Sequence, residues 1–105
     1  MGGIKLMIEI TNIDEFNYFI NQDEYVLIDF YAKWCGKCKQ LKGRLMAQYA
    51  DKFDIYTVDV DSFEALAEEY NVKGLPKLIL FKNGEIVEEQ DKSAMVFLKK
   101  IKTLL

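Results

Sequence analysis

Residues 25–41 read YVLIDFYAKWCGKCKQL and contain both cysteines and the single tryptophan of this 105-residue chain. The first eight, Tyr25 to Ala32, are apolar on both faces, which is typical of a central strand covered by helices on both sides. The residues that follow Cys35 show helical periodicity. The two thiols, Cys35 and Cys38, therefore lie where a buried strand passes into a helix.

Strand and helix patterns alternate on both sides of this stretch. Before it, apolar and polar residues alternate from Ile4 to Ile10, which predicts a strand with one buried face, and Thr11 or Asn12 can cap the next helix. After it, Asn83-Gly84 is a strong hairpin signal. The remaining predicted elements are a helix to about Phe53, a strand over 55–60, a helix capped by Ser62, strands over 77–81 and 85–88, and a helix from Ser93.

The same periodicity predicts which apolar side chains face the core. Each helix should bury one stripe and the first strand one face. Gly43 interrupts the stripe of the helix after the cysteines and permits a bend there. The predicted inward-facing residues are Ile4, Leu6, Ile8 and Ile10; Ile13, Phe16, Phe19 and Ile20; Leu41, Leu45, Met46 and Tyr49; Phe63, Leu66, Ala67 and Tyr70; and Val96, Phe97, Ile101 and Leu104.

The order of these elements predicts the fold class. Strand–helix–strand units imply parallel pairing with right-handed crossovers, whereas the hairpin adds antiparallel strands. We therefore expect one α/β domain over residues 1–105, with three layers (α/β/α) and a central mixed five-stranded sheet. The expected order is β1-α1-β2-α2-β3-α3-β4-β5-α4.

Composition excludes several classes of function. The chain has 17 acidic and 14 basic residues, a net charge of −3 and no histidine, and its charges form no basic stripe, so we expect no nucleic-acid partner. No stretch approaches the roughly 18–20 apolar residues of a membrane span. The start of the chain does not resemble a secretion signal, so we expect a cytoplasmic protein. Two cysteines in that compartment favour catalysis, redox chemistry or metal binding.

A Cys-x-x-Cys pair has three interpretations: a redox couple, half of a metal site, or core packing. A zinc site usually takes four cysteine, histidine or carboxylate ligands, and this chain has no third cysteine and no histidine. We therefore expect no metal site within one chain, although a site shared by two chains stays open. Gly36-Lys37 suits a surface turn, and Trp34 suits an exposed aromatic lip, with a buried Trp34 as the alternative.

The spacing of Cys35 and Cys38 favours the redox interpretation. If a helix begins at or just before Cys35, both thiols lie on one face within disulfide reach. The first thiol then sits at the helix N-terminus, where unpaired N–H groups and the helix dipole stabilise its thiolate. The second lies one turn further and deeper, which suits a thiol that attacks the first.

Several segments together resemble the thioredoxin family: VLIDFYAKWCGKCKQL at 26–41, VDVD at 58–61, and YNVKGLPKLILFKNGE at 70–85. The resemblance covers nearly the whole chain. It implies the thioredoxin fold and a small cytosolic protein-disulfide reductase that acts on protein substrates with disulfides. It also implies recharging by a thioredoxin reductase or an equivalent electron donor, and no cofactor besides the redox-active disulfide of Cys35 and Cys38. We expect a monomer.

The resemblance assigns roles to individual residues. Cys35 matches the nucleophile, Cys38 the resolving thiol, and Asp29 the buried acid that relays a proton to or from Cys38. The strand pattern supports burial of Asp29, because it shares a face with Leu27 and Tyr31, and desolvation raises the pKa of a buried carboxyl. The alternative is an aspartate at a solvated strand end.

The resemblance also predicts a docking surface. Pro76 matches a cis-proline of the family, which leaves the backbone of Leu75 free to pair with an extended target segment. The expected substrate-docking residues are Trp34, Gly36, Lys37, Leu75 and Pro76.

Departures from the family bear on specificity. Lys37 replaces the usual proline between the cysteines, and its charge favours the Cys35 thiolate, so we expect a reduction potential above the roughly −270 mV of thioredoxin. The alternatives are therefore a more oxidising, isomerase-like variant, or a binding module that needs no redox turnover. Thr57 stands where some members have a lysine near the buried acid.

Two further departures concern charge around the thiols. Lys33, Lys37, Lys39 and Lys77 either make the surrounding face basic and favour acidic partners, or are solvated without preference. The short segment Gln90-Asp91-Lys92 lacks the family's glycine, and we expect it to alter the docking rim.

Overall fold

The computed structural model describes residues 7–105, in which strands and helices alternate in the predicted order. The predicted residues Ile4 and Leu6 lie outside the described residues. The elements are β1 (Met7–Glu9), α1 (Ile13–Ile20), β2 (Val26–Tyr31), α2 (Gly36–Gln48), β3 (Asp54–Asp59), α3 (Glu64–Glu69), β4 (Lys77–Lys82), β5 (Glu85–Glu89) and α4 (Ala94–Lys102).

The sheet is mixed, with strand order β1-β3-β2-β4-β5. Strands β1, β3 and β2 are parallel, whereas β4 runs antiparallel to both β2 and β5. The central strand β2 is buried almost throughout, as its run of apolar residues predicts. This arrangement confirms the predicted mixed five-stranded sheet and the α/β class.

Each face of the sheet carries its own core, so the domain has three layers. Helices α1 and α3 pack on one face, where Phe16, Ile20 and Leu66 meet Ile28 and other β2 side chains. Helices α2 and α4 cover the other face. The side chains of that second core are Leu41, Leu45, Phe97, Leu98 and Ile101 from the helices, with Leu27, Ile55, Leu78 and Leu80 from the strands.

Capping residues start two of the helices where the sequence predicts. The side chain of Asn12 accepts a hydrogen bond from the N–H of Glu15 at 2.9 Å, and Ser93 caps α4 in the same way. The predicted cap at Ser62 is wrong. Helix α3 begins after Phe63, which makes no side-chain capping bond and packs against the first core instead, so tertiary packing decides that boundary.

Helix α2 ends at Gln48 instead of continuing to Phe53 as predicted. The chain turns at 49–53 and thereby brings the Phe53 ring into the second core.

Several side chains predicted to face inward are exposed. On the helices, the buried stripe is narrower than the apolar pattern suggests, and β1 is an edge strand that pairs on one side only. The exposed residues are Ile8, Ile13, Met46, Val96 and Leu104.

The predicted hairpin is present between β4 and β5. Asn83 and Gly84 both adopt positive φ, 55° and 80°, which a two-residue turn of this hand requires. The N–H of Gly84 donates to the carbonyl of Ile20, so the turn is also tied to the end of α1. Within residues 7–105, no helix combines the length and the hydropathy that crossing a membrane requires.

Candidate active site

The two cysteines lie at the N-terminus of α2 and are joined as a disulfide. Cys35 is the N-cap residue, Cys38 lies in the first turn, and their Cα atoms are 5.3 Å apart. The sulfur of Cys35 accepts a hydrogen bond from the N–H of Cys38 at 3.2 Å. The predicted helix start and the predicted disulfide spacing are thus confirmed.

This position makes the two sulfurs chemically unequal. Cys35 is 8% exposed and Cys38 3%, so an incoming group reaches Cys35 first. At the N-cap, the Cys35 sulfur faces the free N–H groups and the positive end of the α2 dipole, which favour a thiolate there. The arrangement therefore suits one attacking and one resolving thiol. Residues 7–105 contain no group of three or more cysteine, histidine, aspartate or glutamate side chains placed to hold a metal ion.

The segment before β4 packs directly against the cysteines. Leu75 lies on a small cluster formed by Ala32, Cys35 and Cys38, and the Leu75–Pro76 peptide bond is cis, as the resemblance implies. The backbone N–H and C=O of Leu75 have no hydrogen-bond partner within the described part of the chain. The backbone N–H and C=O of Leu75 are thus available to bind another chain next to the cysteines.

Trp34 is an exposed lip of the site, not a core residue. Its side chain is 72% exposed, and its indole N–H donates to Oδ2 of Asp61 at 3.0 Å. The N–H of Asp61 in turn donates to Oδ1 of the buried Asp59 at 2.9 Å. The sequence did not predict that Asp61 supports Trp34. The only sequence signal for this role was the pair of aspartates in VDVD at the end of β3.

Asp29 is buried in the sheet, on the central strand β2. It is 1% exposed and lies on β2 between Leu27, which belongs to the second core, and Tyr31, which packs against the cysteine cluster. Its neighbours on the adjacent strands are Thr57 and Leu78. The Oδ1 atom has no hydrogen-bond partner among residues 7–105. Burial raises the pKa of Asp29 to about 7.

A cation on α2 opposes this effect of burial. The charge of Lys42 lowers the pKa of Asp29, although desolvation dominates. Lys42 follows Cys38 by four residues, and its side chain is exposed. Lys42 thus supplies a positive charge near Asp29, whereas the neighbouring Thr57 has no charge. The sequence offered no signal for this pairing, because the packing of α2 on β2 decides which helix residue approaches Asp29.

The four lysines expected around the thiols have different surroundings. The Nζ atom of Lys33 lies 3.9 Å from Oδ2 of Asp59. The Nζ atom of Lys77 lies 3.1 Å from Oε1 of Glu89 and donates a hydrogen bond to the carbonyl of Gln90 at 2.7 Å. Lys37 and Lys39 are exposed. Two of the four lysines, Lys33 and Lys77, are therefore paired with carboxylates, and among the described residues the other two are not.

The segment after β5 is anchored by Gln90. Gln90 is 7% exposed, its Oε1 accepts the N–H of Leu78 at 2.9 Å, and its own N–H donates to the carbonyl of Leu78. The segment Gln90-Asp91-Lys92 still borders the region beside Leu75 and Pro76, since all three of its residues line the same groove as Leu75 and Pro76. Only Asp91 and Lys92 are exposed there.

Comparison with known proteins shows similarity over almost the whole chain. The family model described as Thioredoxin matches residues 7–103. Thioredoxin of Chlamydia caviae is 38% identical over 96 residues, which cover 86% of this chain and 93% of that protein. Thioredoxin-2 of Pyricularia oryzae is 39% identical over 83 residues, but the match spans only 48% of that longer relative. The solved structure of Malassezia sympodialis thioredoxin has a TM-score of 0.81 and 30% identity, over 95% of this chain and 90% of that one.

Proposed function

Because this chain belongs to the thioredoxin family and is a dithiol–disulfide oxidoreductase, we propose that it reduces disulfides of other proteins through Cys35 and Cys38. The observation that carries the proposal is the unequal placement of the two sulfurs. Cys35 is the more exposed of the two and caps α2, whereas Cys38 lies beneath it within bonding reach.

The reaction begins with both cysteines reduced. The Cys35 thiolate attacks one sulfur of a target disulfide, which breaks the target bond, forms a mixed disulfide and releases the first target thiolate. Cys38 then loses its proton and attacks Cys35, which forms the Cys35–Cys38 disulfide and releases the second target thiolate. Two electrons pass from the two cysteines to the target.

Asp29 is the proposed acceptor for the proton of Cys38. Its pKa of about 7 means that the carboxyl is partly ionised near neutral pH, so it can take up a proton and later return it. The unpartnered Oδ1 supports this role, because no other described group holds that oxygen.

The proposed docking surface combines side chains and backbone around the disulfide. Trp34, Gly36 and Lys37 are exposed next to the cysteines in the chain. Leu75 packs against the cysteine cluster, and Pro76 follows it. The unpaired backbone groups of Leu75 can bind an extended target segment in the manner of an added strand.

The cycle closes when another protein returns two electrons to the Cys35–Cys38 disulfide. We propose a thioredoxin reductase or an equivalent donor for this step. No further cofactor is needed, because the two thiols carry both electrons. We also propose that the chain acts as a monomeric single domain in the cytoplasm.

Lys37 supports a second candidate within the same chemistry. It lies in the first turn of α2, between the cysteines, where the family usually has proline. A cation there favours the Cys35 thiolate and hence the reduced protein, so the potential should exceed roughly −270 mV. A rise of tens of millivolts would indicate a disulfide isomerase instead of a general reductase.

The test uses single turnovers with a disulfide-bonded protein substrate, with the fluorescence of Trp34 as the signal. The Cys38→Ser variant should accumulate a mixed disulfide at Cys35 and stop, and Cys35→Ser should not react. Equilibration of the wild-type protein with a glutathione series then measures its potential. Trapping at Cys38 in the Cys35→Ser variant would show that the roles are reversed. Full partner binding without either thiol would support a binding module instead.

A further inference from the structure

A groove of about 760 Å³ is lined by Lys37, which lies between the two cysteines in the chain, and by Leu75, which packs against them. Its walls are α2, the segment 71–77 and the segment 90–95, and its lining includes Lys37, Leu75 and Pro76 of the proposed docking surface. The groove therefore continues directly from the proposed docking surface. The lining residues that matter here are Lys37, Arg44, Lys73, Lys77, Asp91 and Lys92.

The charge of this groove is opposite to that of the chain. Among the residues of 7–105 that line it are five of the chain's 14 basic residues and one of its 17 acidic residues, in a protein whose net charge is −3. These cations come from both the α2 wall and the two facing segments. The basic residues are therefore spread over all three walls of the groove.

Most of these cations have no carboxylate partner. Lys77 is committed to Glu89 and to the carbonyl of Gln90. Lys37, Arg44, Lys73 and Lys92 are exposed and form no salt bridge within residues 7–105. Four positive charges are thus available to bind an anionic partner.

We propose that this groove binds an acidic segment of the substrate polypeptide next to its disulfide. The inference rests on the proposed function, since it names the class of protein that the reductase prefers. Lys37, Leu75 and Pro76 belong to both the docking surface and the groove. A chain whose disulfide is held at Cys35 therefore has a direct path into the groove.

The lining favours a peptide over a nucleic acid. None of the described residues that line the groove is aromatic, so they offer no platform on which bases stack. Leu41, Ala94 and Met95 supply apolar contacts for the side chains of a peptide. Glutamate and aspartate side chains complement the four unpaired cations.

The experiment compares two disulfide-containing peptides of the same length, one flanked by four glutamates and the other by four lysines. We expect the reduced wild-type protein to react with the acidic peptide about three- to tenfold faster in kcat/KM at low salt, as a few exposed ion pairs allow. The ratio should approach one in 1 M salt, where the Debye length falls to about 3 Å.

Two charge-reversed variants locate the effect. Arg44→Glu with Lys73→Glu alters the groove, and Lys99→Glu with Lys102→Glu makes the same change in charge on α4 outside it. The first double variant should lose or invert the preference, whereas the second should keep it. Measurement of the reduction potential of both variants separates binding from a change in the thiols.

Each outcome is decisive. Reduction of both peptides without preference, or equal loss in both double variants, would overturn the groove proposal and leave the reductase function intact. Failure to reduce either peptide, with normal disulfide formation, would instead refute the proposed function. Stronger inhibition by a single-stranded oligonucleotide than by a hexaglutamate peptide would assign the groove to nucleic acid and overturn the proposal.

Discussion

Replacement of Asp29 by asparagine should stabilise the protein at neutral pH. The substitution keeps the shape of the side chain and removes its ionisation. In the folded protein, burial raises the pKa of Asp29 from its usual 3.8 to about 7. The unfolded chain therefore releases this proton at a lower pH than the folded chain does, and wild-type stability falls as the pH rises between these two values.

The size of the effect follows from the shift. One pKa unit corresponds to about 1.4 kcal/mol, so about three units correspond to about 4 kcal/mol when both states are ionised. The free energy of unfolding of Asp29→Asn should exceed that of the wild type by roughly 1 kcal/mol at pH 4.5, roughly 3 kcal/mol at pH 6 and about 4 kcal/mol at pH 8.

Urea denaturation of both oxidised proteins at these pH values gives the differences directly. The control is Asp23→Asn, an exposed aspartate in the loop before β2, which should change stability by less than about 0.5 kcal/mol at every pH. A difference between Asp29→Asn and the wild type that stays constant from pH 4.5 to pH 8 would refute the reasoning. Asp29→Asn should also resolve mixed disulfides more slowly than the wild type, since asparagine cannot accept the proton of Cys38.

Three other variants test separate parts of the structure. Lys42→Gln should raise the pKa of Asp29 further, because it removes the opposing charge, and an NMR titration of the carboxyl that shows no upward shift would contradict this. Gln90→Leu should lower the free energy of unfolding by about 1–3 kcal/mol in urea, because the N–H of Leu78 loses its acceptor, whereas Asp91→Leu should have little effect. Gly43→Ala should raise it by about 0.5–1 kcal/mol, since the added Cβ meets open space within a helix; a lower urea midpoint would count against that.

Local signals in the sequence predicted most of the fold. The apolar run of β2, the Asn83-Gly84 turn and the start of a helix at Ser93 each depend on residues close together in the chain, and the structure confirms them. The cysteine pair belongs to this group, because three residues of helix bring its sulfurs together. Predictions of exposure were less successful. Ile13 and Val96 fit a helical apolar stripe but lie at its edge, where the sheet does not cover them.

The sequence by itself thus determined the order of the elements and the position of the two thiols at a helix start, since periodicity and spacing act over a few residues. It favoured the burial of Asp29, which the structure confirms. Only the tertiary structure decided that Lys42 acts on Asp29, that Asp61 holds Trp34 and that Gln90 anchors its segment to Leu78. It also decided that scattered lysines and an arginine converge in one groove. Each of these contacts joins side chains from separate segments, and their distances depend on how the helices pack on the sheet.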